Sequence, residues 1–247
     1  MNSHTEQDVE LDLAERGFAH GKTISLNRRL FMRFAAYTGC RDVGPIVAAL
    51  QQAALDCVVY ADANDPLGIG LLVASEDPAL FVGELRTILQ SQVCAELQRR
   101  PEYDTLGRTY SIGYESDLEE TLLRKPVRKV LDERNHWAIW YPLRRSKGFQ
   151  RLPAADQRRI LAEHGTLAKR YGRGGHATDI RLACHGLDRS DNDFVIGLVG
   201  PQLYPLSAIV QEMRKTEQTA LHLESLGPFF VGKVIWRSQL GVRDAHE

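Results

Sequence analysis

Apolar and polar positions follow two rhythms along this chain, and the rhythms recur in the same order twice. Residues 28–37 (RRLFMRFAAY) alternate imperfectly and are rich in aromatics, which predicts a strand. After the turn-prone Thr38-Gly39-Cys40, Val43 to Ala54 carry apolar residues at helical spacing. Residues 56–60 read as a second strand, 61–68 (ADANDPLG) as a turn and 69–75 (IGLLVAS) as a third strand. Asp77 is a candidate N-cap, with Pro78 in the tolerated first position of a helix predicted to run to about Gln92. Strand, helix, strand, strand, helix is the order of a ferredoxin-like unit.

The second half repeats the plan. Residues 136–141 (HWAIWY) form a short aromatic strand, and 152–171 a helix opened by Pro153, with Ile160, Leu161 and His164 toward one side. Strands at 178–186 and 193–200 flank the polar turn 187–192. A helix at 204–224, with Pro205 in its first turn, and a strand at 229–236 complete the set. The expected fold is α+β: two ferredoxin-like halves, 27–111 and 136–247, with facing antiparallel sheets. A charged linker (112–135) joins them, and a disordered or loosely docked arm (1–26) precedes them.

Composition narrows the function. With 31 basic against 32 acidic residues there is no basic excess, which argues against nucleic acid as a partner. No apolar run reaches the roughly 18 residues of a membrane span, and the acidic, polar N-terminus resembles neither a secretory signal nor a transit peptide. Cys40, Cys57, Cys94 and Cys184 are scattered without a C-x-x-C pair, so free thiols in a reducing cytoplasm are expected. No phosphate-binding loop, dinucleotide fingerprint, H-E-x-x-H or nucleophile elbow occurs, and the glycines of 170–176 (RYGRGGH) follow a helix rather than opening one. Of the eight histidines, His164 has the most ligand-like setting: an amphipathic helix, and a following Gly165 that leaves room for a flat, bulky group.

The words around His164 form an ordered set. Tyr141-Pro142-Leu143-Arg144-Arg145, Leu152-Pro153 and Glu163-His164-Gly165 stand in sequence, followed by Gly186-Leu187-Asp188, Asp193-Phe194, Met213 to Glu217 and Gly227 to Gly232. With Thr109-Tyr110-Ser111 upstream, this set resembles the chlorite dismutase and coproheme decarboxylase family from about residue 105 onward. The resemblance implies a barrel of the dimeric α+β type, a haem cofactor (iron coproporphyrin III or haem b) and a homo-oligomer, commonly a pentamer. By position His164 is implied as the proximal iron ligand, and Glu217 as the carboxylate accepting a hydrogen bond from its other ring nitrogen.

Tyr141 matches the tyrosine that is oxidised in the decarboxylase branch, and Arg145 stands where that branch carries a lysine near a propionate. A guanidinium binds a carboxylate well but gives up its proton poorly. Arg128 and Arg124 are candidates for propionate contact or plain solvated charges. Phe149 takes the place of the family's tryptophan-rich cluster and is expected to keep its packing role. The distal residue has two readings: counting back from Gly186 gives Asp179, and counting back from Asp193 gives Arg181. Both lie on one strand face, where Arg181 could partner Asp179; His176 is a weaker acid–base candidate.

The leading expectation is peroxide-dependent oxidative decarboxylation of coproheme to haem b. The alternatives are a chlorite-decomposing or peroxidase-like enzyme acting on a small oxyanion, and a haem-transfer protein or haem-free relative.

Overall fold

The structure, a computed structural model, describes residues 11–239. The first half opens with a hairpin of β1 (Glu15–Ala19) and β2 (Lys22–Leu26). It continues through β3 (Phe31–Thr38), α1 (Gly44–Gln52), β4 (Asp56–Asp62), β5 (Ile69–Ser75), α2 (Glu84–Leu89) and β6 (Gln98–Arg108). The connecting α3 (Lys125–Leu131) leads into β7 (Trp137–Arg145), α4 (Ala154–Arg173), β8 (Thr178–Ala183), β9 (Phe194–Gly200), α5 (Leu203–Met213), α6 (Glu217–His222), β10 (Leu223–Leu226) and β11 (Phe230–Arg237).

Strand order is β6-β3-β5-β4 in the first half and β11-β7-β9-β8 in the second, the ferredoxin-like arrangement in both. The halves join where β4 pairs with β11 and where Arg108 of β6 pairs with Ala183 of β8, so the two sheets close into one barrel. β10 extends β7 beyond the end of β11. All seven residues of β5 are buried because its two faces are both covered, which explains its uninterrupted apolar run.

Alternate residues of each strand point into the barrel and fill it. Phe34 stacks on Trp140 at 5.6 Å and meets Phe230 at 4.8 Å, and a Cβ on Gly197 would lie 2.4 Å from the Trp140 ring. Trp140 is 2% exposed. Trp140→Ala is therefore expected to cost about 3–5 kcal/mol, read by chemical denaturation.

Four segments depart from the sequence reading. The segment expected as a loose arm includes the β1–β2 hairpin, turned by His20 and Gly21 with positive φ of 50° and 75°. This hairpin is anchored where Phe18 N–H donates to Glu115 O at 2.9 Å; residues 1–10 of that predicted arm lie outside the described residues, as do 240–247. The expected linker is core: a π-helical turn (Glu120–Arg124) runs into α3, and Leu118, Leu122, Leu123, Val130 and Leu131 join the barrel's apolar cluster. The helix expected at 77–92 begins as a 3-10 turn, where Asp77 Oδ1 accepts from Ala79 N–H at 2.9 Å, and resumes as α2 only after Gly83. The helix expected at 204–224 breaks at Thr216, whose extended backbone (φ −70°, ψ 150°) separates α5 from α6.

Candidate functional site

The outer face of the second half's sheet collects the residues of interest. Tyr141 pairs with Ile196, Leu143 with Phe194, and Arg181 with Ile196, so Tyr141, Arg145, Asp179, Arg181 and Phe194 share one face. Helices α4 and α5 cover it: Leu167, Ala168 and Tyr171 of α4 pack in the cluster that holds Tyr141, Leu198 and Ile209. Yet of the twenty residues of α4 only Ile160 is buried. A long helix with so little buried contact leaves its sheet-facing side short of packing partners.

His164 sits half-buried on α4, and a Cβ built on the neighbouring Gly165 would meet nothing within 4 Å. Burial, helped by the nearby Arg181 and opposed by Asp179, holds its pKa below the usual imidazole value, so the ring is neutral and able to bind a metal. Its Nδ1 lies 3.3 Å from Thr216 Oγ1. The expected carboxylate partner is elsewhere: Glu217 is held by Arg159 of α4 through Nη1–Oε2 and Nη2–Oε1 contacts of 2.6 and 2.9 Å. The structure departs here from the implied role of Glu217: its carboxylate faces Arg159, and the imidazole meets the Thr216 hydroxyl instead.

Tyr141 is 8% exposed and stacks on Phe229 at 4.7 Å, 28° from parallel. Burial, with Asp179 adding to it, pushes its pKa well above the usual phenol value, so the hydroxyl stays protonated. On the same strand, the Arg145 guanidinium lies 4.8 Å from the Phe149 ring and 4.6 Å from the Phe194 ring. Phe149 is 1% exposed, with the His222 ring 5.5 Å from its own. Arg145 Nε is buried without a hydrogen-bond partner, and among the described residues no carboxylate comes within ion-pairing distance of the guanidinium. Its pKa is lowered by burial, against Tyr110 and Asp193. An unpaired Nε on a half-buried guanidinium is a place where a ligand carboxylate would gain a charge-assisted hydrogen bond.

Asp179 and Arg181 form an ion pair, Arg181 Nε to Asp179 Oδ2 at 3.1 Å. The half-buried Lys129 of α3, its pKa lowered by loss of solvent, donates to the Asp179 carbonyl and lies 3.8 Å from its carboxylate. Lys129, Lys125, Tyr110, Asp179 and Arg181 are among the residues lining a cavity of about 120 Å³ beside this face. Sequence reasoning missed Lys129, whose neighbour Arg128 was the candidate. Arg128 is instead exposed and paired with Glu120, and Arg124 with Glu119. A one-residue step turns a side chain by about a quarter-turn on a helix, which separates the two fates. His176 lies exposed past α4, against Gly174.

Among the described residues no group of three or more His, Cys, Asp or Glu side chains could hold a bare metal ion. His164 therefore offers one donor, which suits a metal whose remaining ligands arrive with an organic ring. Single-ligand imidazole, open space at Gly165, an orphaned guanidinium and aromatic walls together fit an iron porphyrin bearing carboxylates.

Comparison with known proteins bears on the fold and the family. A stretch of the coproheme decarboxylase of Mycolicibacterium smegmatis is 26% identical over 102 residues, 41% of this chain and 41% of that protein, so the match spans about two fifths of the relative's length. A single-residue variant of chlorite dismutase from Candidatus Nitrospira defluvii superposes with a TM-score of 0.67 at 13% identity, covering 85% of this chain and 92% of that one. A haem-binding protein from Thermus thermophilus gives 0.65 at 18% identity over the same shares. These structures share the fold. The chlorite dismutase family model matches residues 84–235, more than half of the sequence, and the chain belongs to the chlorite dismutase family.

Proposed function

We propose that this chain is a haem-dependent oxidoreductase that decarboxylates iron coproporphyrin III to haem b with hydrogen peroxide as oxidant. The observation that carries this reading is the placement of Tyr141 and Arg145 on one face of β7, a protonated buried phenol and, four residues along the strand, a half-buried guanidinium whose Nε has no hydrogen-bond partner. His164 Nε2 would hold the iron, and Arg145 would receive a propionate between the Phe149 and Phe194 rings. The bound iron porphyrin supplies the two-electron chemistry with peroxide. Per propionate, one CO2 leaves and a vinyl group forms. The two electrons and the proton released, with one further proton from solvent, reduce peroxide to water. The Tyr141 O–H, on a ring held by its stack on Phe229, would be the group that passes hydrogen.

Arg181 would have to face an oxyanion for the chlorite-decomposing alternative; its Nε instead contacts Asp179, which favours decarboxylation. Four unpaired cysteines, with burial pushing Cys57 up to about 12, suit a reducing cytoplasm. Exposed apolar side chains such as Tyr204, Val82 and Leu221 suit a homo-oligomer, a pentamer by resemblance to the family.

The test is mass spectrometry of iron coproporphyrin III after peroxide treatment in the presence of the chain. Loss of two CO2 equivalents is expected, with little chlorite consumed in a parallel assay. Unchanged porphyrin together with rapid chlorite turnover would replace the decarboxylase reading with the alternative. Arg145→Ala is expected to weaken coproporphyrin binding roughly 10- to 100-fold, the value of a hydrogen bond to a charged group, in a fluorescence-quenching titration.

A further inference from the structure

Thr216 occupies the N-cap position of α6, yet its hydroxyl does not cap that helix. The cap is supplied from α4: Glu163, the residue before His164, accepts the Glu217 backbone N–H at 3.0 Å. The Thr216 hydroxyl is thereby free for other work. Its single proton has its shortest contact with the Met213 carbonyl at 2.8 Å, an oxygen that can only accept, ahead of Thr219 Oγ1 at 3.4 Å. What remains on Thr216 Oγ1 is acceptor capacity, and His164 Nδ1 lies 3.3 Å away on that atom. With that proton committed to the carbonyl, Nδ1–H donating to Thr216 Oγ1 completes the set, an arrangement that leaves the lone pair on Nε2. Thr216 is 5% exposed, so water does not compete freely for the hydroxyl.

We infer that Thr216 is the positioning residue for His164, selecting the Nδ1–H tautomer through a neutral hydroxyl while Arg159 keeps the Glu217 carboxylate away from the ring. The inference rests on the proposed role of His164 as an iron ligand for its consequence, though not for its geometry. A carboxylate at Nδ1 draws the proton toward itself and makes the imidazole a stronger donor. A hydroxyl already committed to a carbonyl does so far less. His164 then acts as a neutral imidazole of ordinary basicity, which leaves the ferrous state of bound iron more accessible than a carboxylate-backed histidine would. The cap from Glu163 to the Glu217 backbone N–H holds the start of α6 against α4, and the Arg159 pair keeps the Glu217 carboxylate off the ring.

Two measurements test it. In the ligand-free full chain at mildly alkaline pH, nitrogen-15 imidazole spectra should show His164 mainly as the Nδ1–H tautomer. Thr216→Val should move it toward the Nε2–H form that a free imidazole prefers, and Thr216→Ser should restore the wild-type pattern. In the haem-loaded ferrous chain, the iron–histidine stretch should drop in frequency in Thr216→Val, stay at the wild-type position in Thr216→Ser and Glu217→Gln, and rise in Thr216→Asp, with a lower reduction potential. A stretch that shifts in Glu217→Gln and stays put in Thr216→Val would overturn the inference. So would an unchanged tautomer in ligand-free Thr216→Val. Should the valine chain fail to fold, Glu217→Gln and Thr216→Asp give the same decision. Failure of haem binding would remove the proposed function but leave the ligand-free tautomer result standing, so the two claims fail separately.

Discussion

Replacing His164 with alanine leaves a folded chain that no longer retains iron porphyrin in an axially ligated state. His164 is half-buried on a helix that buries only Ile160, so its removal costs the fold little. The bonding loss is another matter. Among the described residues no other cluster of metal-binding side chains stands in reserve. Loss of a group that merely orients a ligand usually lowers affinity about 10- to 100-fold, and loss of the donor atom itself should exceed that. The check is an optical titration with haem b, followed by gel filtration. Wild-type chain should carry the band through the column and His164→Ala should lose it, while circular dichroism of the two remains superposable. Restoration by added imidazole would tie the loss to the missing donor. A variant that holds haem as tightly as wild type would move the metal site elsewhere on the molecule.

The second large effect concerns Tyr141. Tyr141→Phe removes one oxygen from a ring stacked on Phe229 and leaves the stack intact. Because burial favours the neutral phenol, no charge is removed and porphyrin binding should be unchanged. Hydrogen transfer through that oxygen has no substitute nearby on the strand: Arg145, the other polar group on this face of β7, is a poor proton donor. Turnover of coproporphyrin by the phenylalanine variant should therefore fall by at least about 10²-fold, the lower range for loss of a positioned proton-transfer group. Mass spectrometry of the porphyrin over time reads this directly, with the binding titration as control. A variant that binds normally and still yields haem b at the wild-type rate would exclude Tyr141 from the chemistry.

How much of this was legible beforehand depended on whether the signal was local. β5 and the barrel residues of β7 announce themselves as apolar runs, and His164, Tyr141 and Arg145 sit in recognisable local words. β6 went unnoticed because QRRPEYDTLGR carries Pro101 and few apolar residues; it forms because β3 supplies a partner along nearly its whole length. The connecting segment looked like a linker since its charges are conspicuous, while Leu118, Leu122, Leu123, Val130 and Leu131 recur at helical spacing and plug the barrel. On the site, the harder distinction was between neighbours. Glu217 matches the family pattern, and only the position of Arg159, 58 residues away in the chain, shows that its carboxylate is already taken. Thr216 and Lys129 are likewise set by which way a helix turns against its neighbours, a tertiary property that a string of letters does not carry.

The central claim, that this face of the second half binds an iron porphyrin through His164, is most directly tested by adding iron coproporphyrin III stepwise to the purified, unmodified chain and following its absorbance. The account predicts a sharpened, shifted Soret band that saturates at one porphyrin per chain, with a ferrous spectrum typical of histidine-ligated iron. A spectrum that stays that of free porphyrin throughout the titration would contradict it.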